Sequence, residues 1–242
     1  ERAYDEQGNV VEEKYLDGNG QPVPHKSGYV LLRREYNHKK QIVKESYFDQ
    51  SGSPVLNASG IHATGRAYDE AGNLTEQRYY NESGVPKAST SGYAVLLRAF
   101  NDQKQIIRES YLDENDQPFT NSSGYAMLER AYDENGNVSE ERYFDGNGQP
   151  VPHRNGYAIL RRVFNEKGQI VQEGYWNADG TPVTNANGYA MTRMTYDASG
   201  NMTQQDYFDG DGRSVACKNG YPVLRRMYNE KKQIVREGYY QA

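Results

Sequence analysis

The chain has 242 residues, a net charge of −5 and 36% hydrophobic residues, with 22 Tyr, 24 Gly and 9 Pro. This polar, aromatic and turn-rich composition excludes a membrane-spanning helix, a collagen and a polybasic nucleic-acid binder. Leu, Ile, Val and Phe are scarce, so a large aliphatic core is also excluded, and tyrosine must supply much of any core. The single cysteine, Cys217, rules out an internal disulfide framework and a multi-cysteine metal site.

Self-similarity dominates the sequence. An aromatic residue followed by Asp or Asn stands at Tyr4, Tyr36, Tyr68, Phe100, Tyr132, Phe164, Tyr196 and Tyr228, every 32 residues without insertion. A second tyrosine follows each by 11 residues, from Tyr15 to Tyr239. Within one unit the elements run strand, turn, strand, turn, connector. Residues 29–36 form a strand rich in Val and Leu, residues 37–41 a turn, residues 42–48 a second strand and residues 49–54 a second turn. Asp or Asn opens each turn because its side chain caps the backbone, and Gly three residues on accepts a positive φ. Hairpin tips are expected at about Glu6–Gly8 and at each equivalent. Pro22, Pro54, Pro86, Pro118, Pro150 and Pro182 follow the second turn. A Gly-Tyr pair then opens the next unit, except at Gly60-Ile61. No stretch sustains an apolar period of 3.6, so essentially no helix is expected.

Units alternate. Odd units read Tyr-Asp-x-x-Gly-Asn, as at Tyr132–Asn137, and even units Tyr/Phe-Asn-x-x-Lys/Gly-Gln-Ile, as at Tyr228–Ile234. The full period is therefore 64, with super-repeats 1–64, 65–128, 129–192 and 193–242 in one tandem array. The predicted fold is all-β: a solenoid-like or spiralling array of eight β-hairpin units, each burying its apolar face against neighbours. The first and last units read like middle ones, which suggests an excerpt from a longer array.

Arg2, Arg34, Arg66, Arg98, Arg130, Arg162 and Arg226 precede their aromatics by two residues, with Met194 the exception. Glu13, Glu45, Glu109, Glu141, Glu173 and Glu237 occupy the position eleven residues after the arginine register, with Gln77 and Gln205 elsewhere. A two-residue hairpin loop places Arg2 opposite Glu13 and Tyr4 opposite Val11. A three-residue loop shifts the register by one and sets Arg34 against Lys44, so the two-residue register is preferred. The paired registers read as a structural cross-strand ladder, with an arginine stripe for an anionic polymer as the alternative.

The strand tyrosines read as core, packing a flat face while the hydroxyl stays wet. The connector-end residues Tyr29, Tyr93, Tyr125, Tyr157, Tyr189 and Tyr221 are the better candidates for stacking sugar rings. Turns such as Asp17–Gly20, Asp145–Gly148 and Asp209–Gly212 resemble calcium loops but lack the remaining ligands. His25 and His153 read as solvated loop histidines, and the Asn-x-Ser/Thr sequons as turn residues rather than glycosylation sites. Departures from the repeat (Ile61, Asp116, Phe119, Met194, Cys217) read as scattered. No catalytic constellation, cofactor site or metal site is expected.

The pattern Tyr-Asp-x-x-Gly-Asn with a following Val or Leu, as at Tyr68-Asp69-Glu70-Ala71-Gly72-Asn73-Leu74, then Tyr-Phe-Asp-x-x-Gly-x-Pro-Val, resembles the RHS/YD repeats of bacterial surface and toxin-delivery proteins. The resemblance implies a spiralling β-hairpin sheet, extracellular or at the cell surface, without catalysis in the repeats. A weaker likeness, through Tyr143–Gly148 and Tyr207–Gly212, is to choline- and glucan-binding cell-wall repeats. Those repeats are Trp-rich, whereas this chain has only Trp176. The expected function is a non-catalytic stalk or fibre segment. It could associate end to end with other copies through uncapped edges. The alternative is a module that binds polysaccharide through repeated tyrosines.

Overall fold

The computed structural model describes residues 1–241. It contains sixteen β-strands and, among the described residues, no helix. The chain divides into two compact units, Glu1–Asn121 and Ser122–Ala242. The first holds β1 (Arg2–Tyr4), β2 (Val10–Lys14), β3 (Leu31–Tyr36), β4 (Ile42–Phe48), β5 (Ala63–Tyr68), β6 (Leu74–Tyr80), β7 (Val95–Phe100) and β8 (Ile106–Leu112). The second holds β9 (Met127–Tyr132), β10 (Val138–Phe144), β11 (Ile159–Phe164), β12 (Ile170–Trp176), β13 (Met191–Tyr196), β14 (Met202–Phe208), β15 (Val223–Tyr228) and β16 (Ile234–Tyr240). Within each unit the strands follow one another in sequence order as an antiparallel meander. The eight hairpins of the expected all-β array are therefore present, as an open sheet in each unit.

The hairpin register differs from expectation in one respect. Arg2 faces Glu13, but Tyr4 faces Val10 rather than Val11, with a register shift between Ala3 and Tyr4. The same shift recurs in the other seven hairpins, for example between Glu35 and Tyr36. Its cause is the turn. Asp5 N donates to Asn9 O at 3.0 Å and Gly8 N to Asp5 O at 3.0 Å, which leaves a three-residue loop closed by a left-handed residue. Gly8 has φ +80° there, the geometry of a type I turn with a G1 bulge. A second bulge at Val11 then adds one residue to the returning strand. The two offsets cancel, so the three-residue loop delivers the two-residue register at Arg2 and Glu13.

The same turn closes each unit twice more. Asp17 N donates to Gln21 O at 2.8 Å, and His25 N to Tyr29 O at 2.7 Å. Between these turns the connector folds back along the strand ends: Val23 N donates to Tyr15 O, and Leu16 bridges to Pro22. The third turns stack at the unit period. Ala58 N donates to Ser27 O at 2.9 Å and Thr90 N to Ser59 O at 3.0 Å. In the second unit, Arg154, Ala186 and Lys218 donate to Ser123, Asn155 and Asn187. This backbone ladder along the connectors gives each unit its solenoid character.

The core lies between one sheet face and the connectors. One cluster comprises Leu128, Leu160, Cys217 and five tyrosines with Val183 and Val215 packed on them, and another Tyr29, Leu32, Tyr47 and Ile61. The opposite face carries Arg33 over the Phe48 ring at 4.6 Å and Arg161 over Trp176 at 4.8 Å, which shields aromatic surface under a charged head.

Candidate functional site

The glutamates of the ladder each gather several donors. Glu141 accepts from Arg130 Nε of its own hairpin at 3.3 Å, from Arg162 Nη1 of the next at 3.4 Å, and from the Tyr143 hydroxyl at 3.4 Å. Glu13 stands likewise between Arg2 and Arg34, at 3.2 and 3.3 Å. Arg34 continues to Glu45 at 3.2 Å, and the Tyr47 hydroxyl donates to Glu45 at 2.8 Å. Arg98 pairs with Glu109, Arg162 with Glu173 and Arg226 with Glu237. The arrangement stitches hairpin to hairpin and ties the charged ladder to the aromatic one. Its electrostatics agree. Arg34 and Arg162 are held above the ordinary arginine range, as their glutamate partners outweigh an opposing desolvation. Glu13, despite desolvation, is held below the ordinary carboxylate range by Arg2 and Arg34.

The connector-end tyrosines lie inside the aromatic ladder. Tyr29, Tyr157 and Tyr189 are buried, while Tyr93, Tyr125 and Tyr221 are half-buried. The rings of Tyr29, Tyr93, Tyr157, Tyr189 and Tyr221 contact strand tyrosines on both sides, and that of Tyr125 contacts Tyr143. In the second unit an unbroken row runs Tyr125, Tyr143, Tyr157, Tyr175, Tyr189, Tyr207, Tyr221, Tyr239, with centroid separations from 4.4 to 6.1 Å. Burial pushes the Tyr29 hydroxyl up to about 12 and those of Tyr47, Tyr143 and Tyr175 further. Carboxylates within the ladder reinforce the shift for all four. These rings pack against each other.

His25 and His153 are not solvated loop residues. His25 stands 4.8 Å from the Tyr15 ring and 4.9 Å from Tyr29, and His153 5.3 Å from Tyr157. The Nδ1 atoms accept from Ser27 N and Asn155 N, so each imidazole caps its turn as Asp does elsewhere. Burial, with Arg154 nearby, lowers the His153 pKa, in keeping with an acceptor nitrogen. Only the equivalence of the two positions hinted at this; a short loop between Pro and Gly gave no sign that its first side chain folds inward.

The calcium-like turns use their carboxylates internally. Asp17 Oδ1 accepts from Asn19 N and Gln21 N, both at 2.8 Å, and Asp145 and Asp209 do the same in their own turns. Among the described residues no group of three metal-ligating side chains converges. The sequon residues Asn73, Asn137 and Asn201 donate their side-chain amides to Asp69, Asp133 and Asp197, so those nitrogens are engaged in the tip.

The alternation of units is explained at the tips. Even tips reach onto odd ones. Lys39 Nζ donates to Glu70 O at 2.7 Å and Gln41 Nε2 to Gly72 O at 3.0 Å. Lys40 Nζ reaches back to Gln7 O at 3.0 Å. In the second unit, Lys167 and Gln169 make the forward contacts to Ala198 and Gly200. Odd tips present compact Gly-Asn loops whose carbonyls receive these donors.

Residues departing from the repeat are not scattered in the third hairpin. Ile61, His62, Gly65 and Gln77 stand where other units have Tyr, Val, Ala or Pro, a longer side chain, and mostly Glu. Ile61 and Gln77 border a cavity of about 220 Å³ lined also by Tyr47, Thr64, Arg66 and Tyr79. The aromatic row is interrupted there.

Residues 127–150, covering β9, β10 and the turn after them, match the MORN repeat variant family. No curated protein matches the chain. Among solved structures the chain is similar to "Crystal Structure of TcdB2-TccC3-TEV", with a TM-score of 0.55 and 15% identity over 95% of this chain. "Crystal Structure of TcdB2-TccC3-Cdc42" aligns with a TM-score of 0.42 and 14% identity over 96% of this chain. The chain spans 10% and 14% of those chains. The first likeness supports a β-hairpin repeat fold of the kind found in that structure.

Proposed function

We propose that this chain is a non-catalytic structural segment, an extensible β-hairpin scaffold within a secreted or surface-exposed bacterial protein. One observation carries the reading: within each compact unit, hairpin is joined to hairpin by contacts that recur at the 32-residue period. These are the connector hydrogen bonds, such as Ala58 N to Ser27 O, and the shared glutamates, such as Glu141 between Arg130 and Arg162. Such a chain lengthens without redesign, because every new unit brings the interface the previous one needs. The resemblance of the Tyr-Asp repeats to the RHS/YD repeats of bacterial surface and toxin-delivery proteins supports an extracellular setting. At the far edge, β16 leaves Ile234, Val235 and Tyr239 exposed, a surface that another hairpin of this type, including one from a second copy, would cover.

In-frame deletion tests the reading. Removing residues 129–192 takes out one odd and one even hairpin and sets an even tip beside an odd one again, with Met194 now following Glu109 as it follows Glu173 in the parent. Removing residues 129–160 instead sets an even tip beside an even tip. The 64-residue deletion should fold with a denaturation midpoint close to that of the parent, and the 32-residue deletion should be clearly less stable. Equal loss in both would show that the chain is an irregular domain and not an extensible scaffold.

A further inference from the structure

The third hairpin, β5–β6, breaks both ladders at one place. Ile61 leaves out the connector tyrosine, so Tyr47 and Tyr79 flank a gap where other hairpins place a ring. Gln77 removes the carboxylate that would face Arg66, since β5 and β6 pair these two residues directly. Elsewhere Arg2, Arg34, Arg98, Arg130, Arg162 and Arg226 all hold a glutamate. Arg66 holds none, and its Nη1 is buried without any hydrogen-bond partner. The carboxylate on the preceding strand, Glu45, is already held by Arg34 and the Tyr47 hydroxyl. Gln77 turns away to donate to the Tyr79 hydroxyl at 2.9 Å.

The seventh hairpin supplies an internal comparison. There Gln205 also replaces Glu, but Met194 replaces Arg, and the two face each other with no charge left over. In the third hairpin only the anion is gone. A buried guanidinium nitrogen without a partner is costly and is retained where something else satisfies it.

The space beside Arg66 is shaped for such a group. The cavity of about 220 Å³ is lined by Tyr47 and Tyr79 and by Ser59, Ser89 and Thr90 from the stacked connectors. It is smaller than the pockets that take drug-sized ligands. Two things are missing relative to sister hairpins: one carboxylate and one ring. We infer that this cavity binds a small hydroxylated carboxylate, of which a uronic acid is the type. Its carboxylate takes the place of the absent glutamate on Arg66, and its hydroxylated body fills the place of the absent tyrosine ring against Tyr47 and Tyr79. Charge-assisted hydrogen bonds to guanidinium supply the affinity, and the serine and threonine rim supplies the preference for hydroxyls over a bare anion.

Titration of the full chain with sodium glucuronate, followed by calorimetry or by amide chemical shifts, tests this. Saturable binding is expected, with glucose, acetate and inorganic phosphate each at least tenfold weaker. Gln77→Glu restores the ladder and should reduce glucuronate affinity at least tenfold, with the thermal midpoint equal to or above that of the parent. Ile61→Tyr refills the gap and should block binding. Gln205→Glu, in the seventh hairpin, should leave binding unchanged. Absence of saturable glucuronate binding, or undiminished binding in Gln77→Glu, would overturn the site. Phosphate binding as tightly as glucuronate would overturn the assignment to a hydroxylated carboxylate.

Discussion

Arg162 donates through Nη1 to Glu141 of the preceding hairpin at 3.4 Å, while its Nε serves Glu173 of its own at 2.8 Å. One guanidinium thus carries both the pairing within a hairpin and the joint between hairpins. The side chains on both sides are largely covered, with 24% and 16% exposure. Partly buried pairs sharing a carboxylate couple more strongly than isolated surface pairs. Double-mutant cycles of Arg130 with Glu141 and of Arg162 with Glu141, to Ala or Met, should each give a coupling of about 0.5–1 kcal/mol. Coupling in the first cycle and none in the second would show that the inter-hairpin bond is not energetically real.

The left-handed turn position offers a sharp stability test. Lys232 has φ +60°, at the position where Gly8 and Gly136 stand in odd units. A side chain in that region costs about 1 kcal/mol relative to glycine. Its sister residues Lys40 and Lys104 recover part of that through contacts to Gln7 O and Ala71 O. Lys232 makes no such contact. Lys232→Gly should therefore stabilise by about 0.5–1 kcal/mol, and Lys40→Gly by less. Urea denaturation midpoints check the order.

Odd and even tips should part company in acid. Asp5, Asp69, Asp133 and Asp197 are held below the ordinary carboxylate range by the side-chain and backbone amides of Asn9, Asn73, Asn137 and Asn201. A depressed folded pKa contributes stability that is present above the unfolded value and lost as pH falls through the folded one. Even tips carry Asn37, Asn101, Asn165 and Asn229 at this position and have no such charge to lose. Below about pH 4, amide protection at odd tips should fall while that at even tips holds. Amide protection measured residue by residue by NMR at pH 3 and pH 6 decides it.

The alkaline limit follows from the aromatic ladder with the opposite sign. The Tyr29 hydroxyl is raised to about 12, and those of Tyr79 and Tyr207 are raised further, desolvation being the largest cause. A raised folded pKa contributes stability that is complete below the unfolded value, about 10, and is lost as pH rises through the folded one. Tyrosinate absorbance at these positions should appear together with loss of the β-sheet circular dichroism signal. Ionisation of all 22 tyrosines well before the sheet melts would contradict the burial of Tyr29 and Tyr207.

Much of the architecture was legible in the sequence because the repeat is uniform. The spacing of Tyr36, Tyr68 and Phe100 defines the unit, and Asp or Asn with Gly three residues on defines the tips. The match of Arg2, Arg34 and Arg130 with glutamates eleven residues away defines the cross-strand register. These are local signals, set by turn chemistry and strand period, and they need no knowledge of neighbours.

What the tertiary structure decided lies between units or across cancelling local terms. The register of Tyr4 against Val10 depends on two bulges whose offsets cancel, and one sequence pattern fits both the bulged and the regular hairpin. The inward fold of His25 and His153 and the reach of Lys39 and Gln41 onto the next tip are contacts about one unit long or shorter turns packed on a core. The burial of Tyr29, Tyr157 and Tyr189 follows from the connector lying over the sheet, which strand periodicity does not specify. The unpartnered Arg66 emerges only when Gln77 and Ile61, sixteen residues apart, meet on one face. Repetition fixes what every unit shares; a site made by departures from it exists only where folding brings those departures together.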